Sequence, residues 1–199
     1  FKFFIYTFLG SLLMLIGIIL LYNKAGGSFA WTDFIRLKFS FREEAVIFTL
    51  LVIAFAVKMP LFPLHTWQPD TYEQAPTPVT MVLSAVMAKM GVFGLLRWLL
   101  PVMPTMSFQW GDNFATLGVI GMLYASFIAM RQDDLKRLVA YSSIAHIGLM
   151  VVAIFAPSAG GIQGVMIQMF NHGVNILGMW IVVNAIEQKL GTRKISELG

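Results

Sequence analysis

The stretch from Lys58 to Arg97 reads KMPLFPLHTWQPDTYEQAPTPVTMVLSAVMAKMGVFGLLR, and the interpretation of the whole chain depends on it. Lys58 follows an uncharged, mostly apolar run, and Pro60 and Pro63 come directly after it. Because proline has no amide hydrogen and clashes with the preceding turn, a regular helix cannot pass this point unbroken. A half-helix should therefore end near Lys58, where free carbonyls and partial negative charge suit an ammonium group. Broken helices at membrane depth are typical of transporters.

Lys89 lies about midway along a second apolar run, from Pro76 to Leu100, in which the next charge is Arg97. A charge at the centre of a membrane helix costs about 2.5 to 3.5 kcal/mol. Burial favours the neutral form of an amine, so a small change in nearby charge is enough to make such a side chain release or accept a proton. The alternative for both lysines is structural: the side chain extends to the interface or pairs permanently with a carboxylate.

The composition indicates an integral membrane protein. Hydrophobic residues make up 58% of the 199 residues and charged residues 12%, and the mean hydropathy of +0.76 is too high for a soluble domain. The net charge is +4, but the basic residues lie in loops and span ends without forming a stripe, so nucleic-acid binding is not expected. The chain has no cysteine, phosphate loop or dinucleotide fingerprint, so we expect no cofactor site here and any redox chemistry in a partner.

The hydropathy pattern predicts an all-α polytopic fold with about six transmembrane helices in a single transmembrane domain, residues 1–199. The candidate spans are residues 3–22, 45–70 with a break near Lys58 to Pro63, 76–100, 114–130, 138–156 and 162–186. A short amphipathic segment is expected within residues 31–41. The chain opens on Phe1 rather than methionine, so we expect an internal piece of a longer polytopic protein.

The loop charges predict the orientation in the membrane. If the spans alternate, one side holds seven basic residues: Lys2, Arg131, Lys136, Arg137, Lys189, Arg193 and Lys194. The other side holds four, all in the first connection: Lys24, Arg36, Lys38 and Arg42. By the positive-inside rule the first side is cytoplasmic. At the start of the fifth span, Asp133 or Asp134 is expected to cap the helix.

The fifth and sixth spans carry polar residues that a membrane anchor does not need. His146 lies within the fifth span, after Tyr141. On the sixth span, polar residues at i, i+3, i+4 and i+7 form one stripe: Gln168, Asn171, His172 and Asn175. A short turn at Pro157 to Gly161 predicts that the two helices are antiparallel neighbours. Because histidine titrates near neutral pH, a line from His146 to His172 suits a proton relay.

Two other roles are open to these polar residues. Amides and imidazoles also hydrogen-bond neighbouring membrane helices, an interaction worth about 0.6 kcal/mol on average. A metal site from His65, His146 and His172 is not expected, because no pair has local ligand spacing and neither a cysteine nor a nearby carboxylate completes a set.

Several separated strings resemble one known family. They are Val57-Lys58-Met59-Pro60, Pro63-Leu64-His65, Trp67-Gln68-Pro69-Asp70, Gln74-Ala75-Pro76-Thr77, Ala88-Lys89-Met90-Gly91, the run from Asp134 to His146, and Asn171-His172-Gly173. Together they resemble the antiporter-like proton-pumping subunits of respiratory NADH:quinone oxidoreductase (complex I). Within that family they resemble subunit M more than its siblings, subunits L and N. The resemblance covers essentially the whole chain.

The resemblance implies the core of an inverted-repeat bundle, about helices six to eleven of a fourteen-helix subunit. Lys58 matches the lysine of the family's discontinuous seventh helix, and Lys89 matches the bridging lysine of the eighth. His146 and His172 match the central-axis histidines, which completes the implied proton relay. The residues expected to support it are Pro60, His65, Trp67, Pro69, Arg97, Tyr141, Gln168, Asn171 and Asn175. In this family a glutamate pairs with the first lysine, and an acidic or basic residue marks the proton exit. The resemblance implies that both lie outside this chain.

The resemblance also implies the surroundings of the chain. Flavin, iron–sulfur clusters and quinone are expected in partner subunits, with no cofactor or metal in this chain. The expected partners are other membrane subunits of complex I, including the sibling antiporter-like subunits, together with lipid, water and protons. The expected location is the bacterial inner membrane or an equivalent energy-transducing membrane.

Three alternatives stay open at this point. Tyr72 stands where subunit M often has histidine, and tyrosine there is similar to subunit N, so the branch is open. A subunit of a multi-subunit sodium/proton antiporter or of a membrane-bound hydrogenase shares these motifs. A scaffold that only anchors its neighbours predicts that both lysines are replaceable by apolar residues without loss of transport.

Overall fold

The computed structural model describes residues 1–156 and 160–198. Its helices are α1 (Lys2–Lys24), α2 (Trp31–Phe34), α3 (Phe41–Lys58), α4 (Trp67–Gln74), α5 (Thr77–Val102), α6 (Pro104–Ala129), α7 (Leu135–Phe155) and α8 (Gly161–Leu190), followed by a 3₁₀ turn at Ile195–Glu197. Five of them, α1 and α5 to α8, are long and apolar enough to cross a membrane. The predicted all-α polytopic fold is confirmed.

The helices run back and forth between two ends of a bundle. At one end Lys2 of α1 pairs with Asp70 of α4, with 2.9 Å between Nζ and Oδ2. At the other end Lys24, the last residue of α1, pairs with Glu43 at the start of α3. The segment from α3 to α4 therefore runs in the opposite direction to α1, although neither α3 nor α4 is among the described helices that are long and apolar enough to cross a membrane.

Five of the seven basic residues predicted to share a side do gather at the Lys2 end. Lys136, Arg137, Arg193 and Lys194 join Lys2 there through shared ion pairs and through the bridge between Lys194 and Asp134. Asp134 caps α7, since its carboxylate accepts from the amide of Arg137 at 3.0 Å. Which end faces the cytoplasm stays a prediction from the positive-inside rule.

The helix break lies where the prolines predict it. Ser40 and Glu43 form a capping box that starts α3, and α3 ends at Lys58. The amide of Met59 still donates to the Phe55 carbonyl, and that of Leu61 donates to the Ala56 carbonyl at 2.9 Å. The chain then turns through residues 62–66 before α4 begins.

Some helix bounds differ from the predicted spans. Helix α6, the fourth predicted span, begins at Pro104 rather than 114, because the polar residues of its first turns lower the hydropathy without preventing a helix. Helix α8, the sixth predicted span, extends to Leu190. Gly191 ends α8 with φ +69, a conformation that glycine adopts without strain. The amphipathic segment is a single turn, α2. Of the predicted turn at 157–161, residues 157–159 lie outside the described part of the chain.

Helices α3 and α5 approach most closely next to the two lysines. A methyl group at Gly91 would lie 2.7 Å from both Cβ and N of Met59 and 2.8 Å from the Phe55 carbonyl oxygen. At Gly94 it would lie 2.5 Å from the Phe55 ring. Since Met59 follows Lys58 and Gly91 comes two residues after Lys89, glycine allows the broken end of α3 to contact the helix that carries the second lysine.

Replacing Gly91 with alanine should therefore disturb this crossing. We expect Gly91→Ala to destabilise the protein by about 1–3 kcal/mol, because the added methyl group overlaps backbone atoms that cannot rotate away. The measurement is the thermal unfolding midpoint of the full-length subunit in its complex. The matched control is Gly178→Ala on α8, since among the described residues a methyl group at Gly178 meets nothing within 4 Å beyond the backbone of its own helix and its chain neighbours. Equal midpoints for the two variants would contradict the proposed close contact.

Candidate functional site

Lys89 is buried in the bundle with its charge directed at the backbone of its own helix. Its side chain is 6% exposed, and its Nζ donates to the carbonyl oxygen of Ser84 at 2.7 Å. Two π-helical turns, Leu83–Met87 and Leu95–Leu99, flank the α-helical segment that contains Lys89. Single π turns within α-helices are frequent at functional sites.

His146 and His172 face each other across α7 and α8. Their ring centroids are 4.9 Å apart, with 44° between the ring planes. The amide nitrogen of Gln168 lies 3.3 Å from Nδ1 of His146. His172 is buried, and neither of its ring nitrogens has a hydrogen-bond partner among the described residues. The segment Ala88–Gly94 that contains Lys89 packs against α7, and the π turn just before it packs against α8. Three of the four predicted relay residues therefore lie on helices that contact one another.

The predicted polar stripe on α8 divides in the structure. Gln168 and His172 face the His146 side, whereas Asn171 and Asn175 are exposed on the described chain. The buried face of α8 contains Gly161, Val165, His172, Ile176, Trp180 and Val183. The buried face therefore does not coincide with the predicted polar stripe. Apolar packing decides which side of α8 contacts the bundle.

Lys58 is the fourth predicted relay residue, and it lies half-buried as the last residue of α3. The carbonyl of the preceding residue, Val57, accepts a hydrogen bond from the indole nitrogen of Trp67 at 3.0 Å, and this contact is buried. The break leaves that carbonyl without a following helical turn, and Trp67 supplies the donor. Pro60 and Pro69 are also buried beside the break. Trp67 thus ties the half-helix α4 to the turn that contains Lys58.

The contacts of the other predicted supporting residues are with groups other than Lys89, His146 and His172. His65 is buried against Phe62 and Tyr124, with ring centroids 5.5 Å and 5.3 Å away. Arg97 lies at the far end of α5, where its guanidinium stacks 3.6 Å from the Trp31 ring centroid. Its carbonyl accepts from the same indole at 3.0 Å. Tyr141 is half-buried on α7.

A network of ion pairs fastens α4 to α1, α7 and the segment after α8. Arg137 lies 2.5 Å from Glu73 and 3.5 Å from Asp70. Arg193 contacts Glu73 as well, at 3.5 Å, and also pairs with Asp134. Each partly exposed ion pair contributes little to the stability of the fold by itself. Because these side chains share partners, each pair restricts the positions of the others. The network holds α4, the second half of the broken helix, in place.

The segment after α8 also docks onto the turn before α7. The amide and the hydroxyl of Ser196 both donate to the carboxylate of Asp133 at 2.8 Å. These hydrogen bonds hold the pKa of Asp133 below its ordinary value. Since the folded pKa is lowered, the stabilisation is present above the unfolded pKa and is lost as the pH falls through the folded value.

Sequence reasoning missed two residues that contact this site, Ser84 and Trp180. Ser84 supplies the carbonyl that Lys89 binds, and its hydroxyl accepts from the Trp180 indole at 2.8 Å. They are distant in the sequence, and no local spacing links them. Among residues 1–156 and 160–198 no three histidine or acidic side chains converge as metal ligands.

The chain is similar to known proteins along its whole length. All of residues 1–199 match the model of the family described as NADH:quinone oxidoreductase/Mrp antiporter, TM. The chain belongs to this family. NADH-quinone oxidoreductase subunit M of Rickettsia typhi is 38% identical over 200 residues, covering 100% of this chain and 40% of that protein. The predicted resemblance, including that to the subunit M branch, is confirmed.

Solved structures agree with the family assignment. A chain of respiratory complex I from Thermus thermophilus with bound NADH superposes with a TM-score of 0.91 at 27% identity, covering 98% of this chain and 42% of that one. A chain of the Mrp complex from Dietzia sp. DQ12-45-1b gives a TM-score of 0.87 at 19% identity, covering 97% and 36%, and shows the fold alone. This chain thus spans about 40% of the length of the curated relatives it matches.

The contact between Trp67 and Val57 makes a prediction about the helix break. Trp67→Phe keeps an aromatic ring but removes the donor, and leaving a buried carbonyl without a partner costs about 1–3 kcal/mol. We expect the amides of Met59 and Leu61 to exchange with solvent several-fold faster, as measured by hydrogen–deuterium exchange on the assembled complex. Trp110→Phe is the matched control, since that side chain is 48% exposed on α6. Unchanged exchange at the break in Trp67→Phe would contradict the assigned role.

Proposed function

We propose that this chain carries protons through the membrane by a relay of Lys58, Lys89, His146 and His172, driven by NADH-to-quinone electron transfer in other subunits. The observation that carries the proposal is that Lys89 is buried on α5, which packs against both α7 and α8, and that the histidine rings on those two helices have centroids 4.9 Å apart. Family membership supports it, since the Rickettsia typhi relative is named as a subunit of NADH-quinone oxidoreductase.

In the proposed mechanism, protons enter from the cytoplasmic end and reach Lys58 at the end of α3. An opposite charge beside a lysine favours its charged form, and removing that charge favours release of the proton. The family resemblance implies that a glutamate outside this chain supplies that charge. When the ion pair opens, Lys58 passes its proton towards Lys89 across the contact between Met59 and Gly91.

From Lys89 the proton moves to the histidine pair. An imidazole accepts a proton on one ring nitrogen and releases it from the other, so facing rings on α7 and α8 suit lateral transfer near the middle of the bundle. Gln168 orients His146 through its amide nitrogen, 3.3 Å from Nδ1. Water completes the path between these groups. Asn171 and Asn175 face away from the described bundle and would act on the next segment of the relay.

The chain's partners and location are part of the same proposal. Other membrane subunits of complex I, including sibling antiporter-like subunits, would border the exposed apolar faces. Flavin, iron–sulfur clusters and quinone would be held by partner subunits. The membrane would be the bacterial inner membrane or an equivalent energy-transducing membrane.

A second candidate is a subunit of a multi-subunit cation/proton antiporter. The family description includes the Mrp antiporter, and the Dietzia Mrp chain has the same fold. The two candidates differ in the neighbouring subunits: copurification with flavin and iron–sulfur subunits supports the redox-driven pump, and their absence from the purified complex supports the antiporter.

The decisive substitution is Lys58→Met in the full-length subunit. We expect NADH-driven proton uptake by inverted membrane vesicles to fall at least several-fold, because methionine occupies a similar volume but cannot carry a proton. Complex assembly and electron transfer to quinone are measured in the same vesicles.

The matched control is Lys38→Met, which removes an exposed lysine from the first connection and should leave uptake unchanged. Full uptake by an assembled complex that carries Lys58→Met would leave this lysine a structural residue. That result would favour the scaffold interpretation over the relay.

A further inference from the structure

The hydroxyl of Ser84 connects the Lys89 site to α8. The π turn at Leu83–Met87 widens α5 by one residue, and the amide of Ala88 donates to the Leu83 carbonyl five residues earlier. In the same turn the Ser84 carbonyl faces Nζ of Lys89 at 2.7 Å. The Ser84 side chain is fully buried, and its hydroxyl donates to the Met81 carbonyl at 3.3 Å.

Trp180 contacts that same hydroxyl from α8. Its indole nitrogen donates to Oγ of Ser84 at 2.8 Å, and both side chains are fully buried. A buried indole N–H requires an acceptor, and hydrogen bonds in a low-dielectric interior restrict the groups that make them. His172 and Trp180 are eight residues apart on α8, so they lie on one face, and both are buried. The helix that carries His172 thus also carries the donor that holds the π turn.

We propose that Trp180 and Ser84 are positioning residues for Lys89: the indole fixes the π turn through the serine hydroxyl, and the fixed turn directs the Ser84 carbonyl at the lysine ammonium. This inference rests on the proposed relay and names two residues that act on it without carrying a proton themselves.

Charged and titratable groups come near Lys89 from three helices. His146 lies on α7 and His172 on α8, and both helices pack against α5. Helix α3 packs against Gly91 and Gly94 through Met59 and Phe55, and its last residue, Lys58, directly precedes Met59. On α5 itself the next charged residue is Arg97. The Ser84 carbonyl is therefore the group in direct contact with the ammonium.

The hydrogen bond from Lys89 to the Ser84 carbonyl determines in which direction the pH dependence of proton uptake should shift. A carbonyl that accepts from an ammonium group favours the charged form of that group, so loosening the π turn removes part of this preference. Proton uptake per NADH oxidised should then decline at a lower pH than in the unmodified protein. One hydrogen bond of ordinary strength corresponds to a shift of about 0.5–1 pH unit in the half-maximal point.

The test compares Trp180→Phe, Ser84→Ala and the double variant in assembled complexes. Uptake per NADH is measured in inverted vesicles across a pH series. We expect both single variants to lower the pH at which uptake per NADH declines, by about the same amount. The double variant should lower that pH no further, since the two residues act through one hydrogen bond. Ser84→Ala removes a single oxygen from a helix, so it tests the proposal even if Trp180→Phe lowers the yield of complex.

Matched controls separate positioning from general destabilisation. Trp98→Phe alters a partly buried indole ring that packs on Phe34, and Ser107→Ala removes a buried hydroxyl that contacts the Leu99 carbonyl. Both should keep the original pH profile. An unchanged profile in Ser84→Ala, or additive shifts in the double variant, would overturn the proposal.

Lys89→Met in the same vesicles distinguishes failure of the proposed relay from failure of the positioning role of Trp180 and Ser84. If it abolishes uptake while Trp180→Phe and Ser84→Ala leave the profile unchanged, the relay survives and the positioning role fails. If uptake persists in Lys89→Met, the relay through this lysine fails, and the positioning role fails with it.

Discussion

The hydrogen bond between the Lys89 ammonium and the Ser84 carbonyl is the interaction on which this arrangement depends. A charge inside an apolar bundle is costly unless a polar group compensates it. The carbonyl oxygen of Ser84, in the π turn of the same helix, does so at 2.7 Å from Nζ. Among the described residues no acidic side chain forms an ion pair with this lysine, which suits the proton exchange that we propose for it.

The break after Lys58 solves a related problem by different means. Prolines end α3, and the carbonyl of Val57 is left without a following turn until the Trp67 indole binds it at 3.0 Å. The half-helix that carries Trp67 is only eight residues long, so ion pairs from Asp70 and Glu73 fasten it to neighbouring helices. Glycine at position 91 then allows the broken end to lie against the helix of the second lysine.

Sequence reasoning predicted the fold class well because membrane helices are specified by local composition. Long apolar runs must satisfy their own backbone hydrogen bonds, so they are helical whatever surrounds them. Prolines 60 and 63 predicted the break for the same local reason. The start of α6 was predicted too late, because hydropathy measures where a helix enters lipid and not where its hydrogen bonds begin.

The sequence by itself determined the helices and the break and pointed to the four residues of the proposed relay, since each depends on residues next to one another or on motifs of a known family. Only the tertiary structure decided which face of α8 is buried, and hence that His172 points inward while Asn171 and Asn175 do not. It also brought Trp180 to Ser84 across a separation of 96 residues. Contacts between helices depend on how whole surfaces pack, and no local pattern encodes that choice.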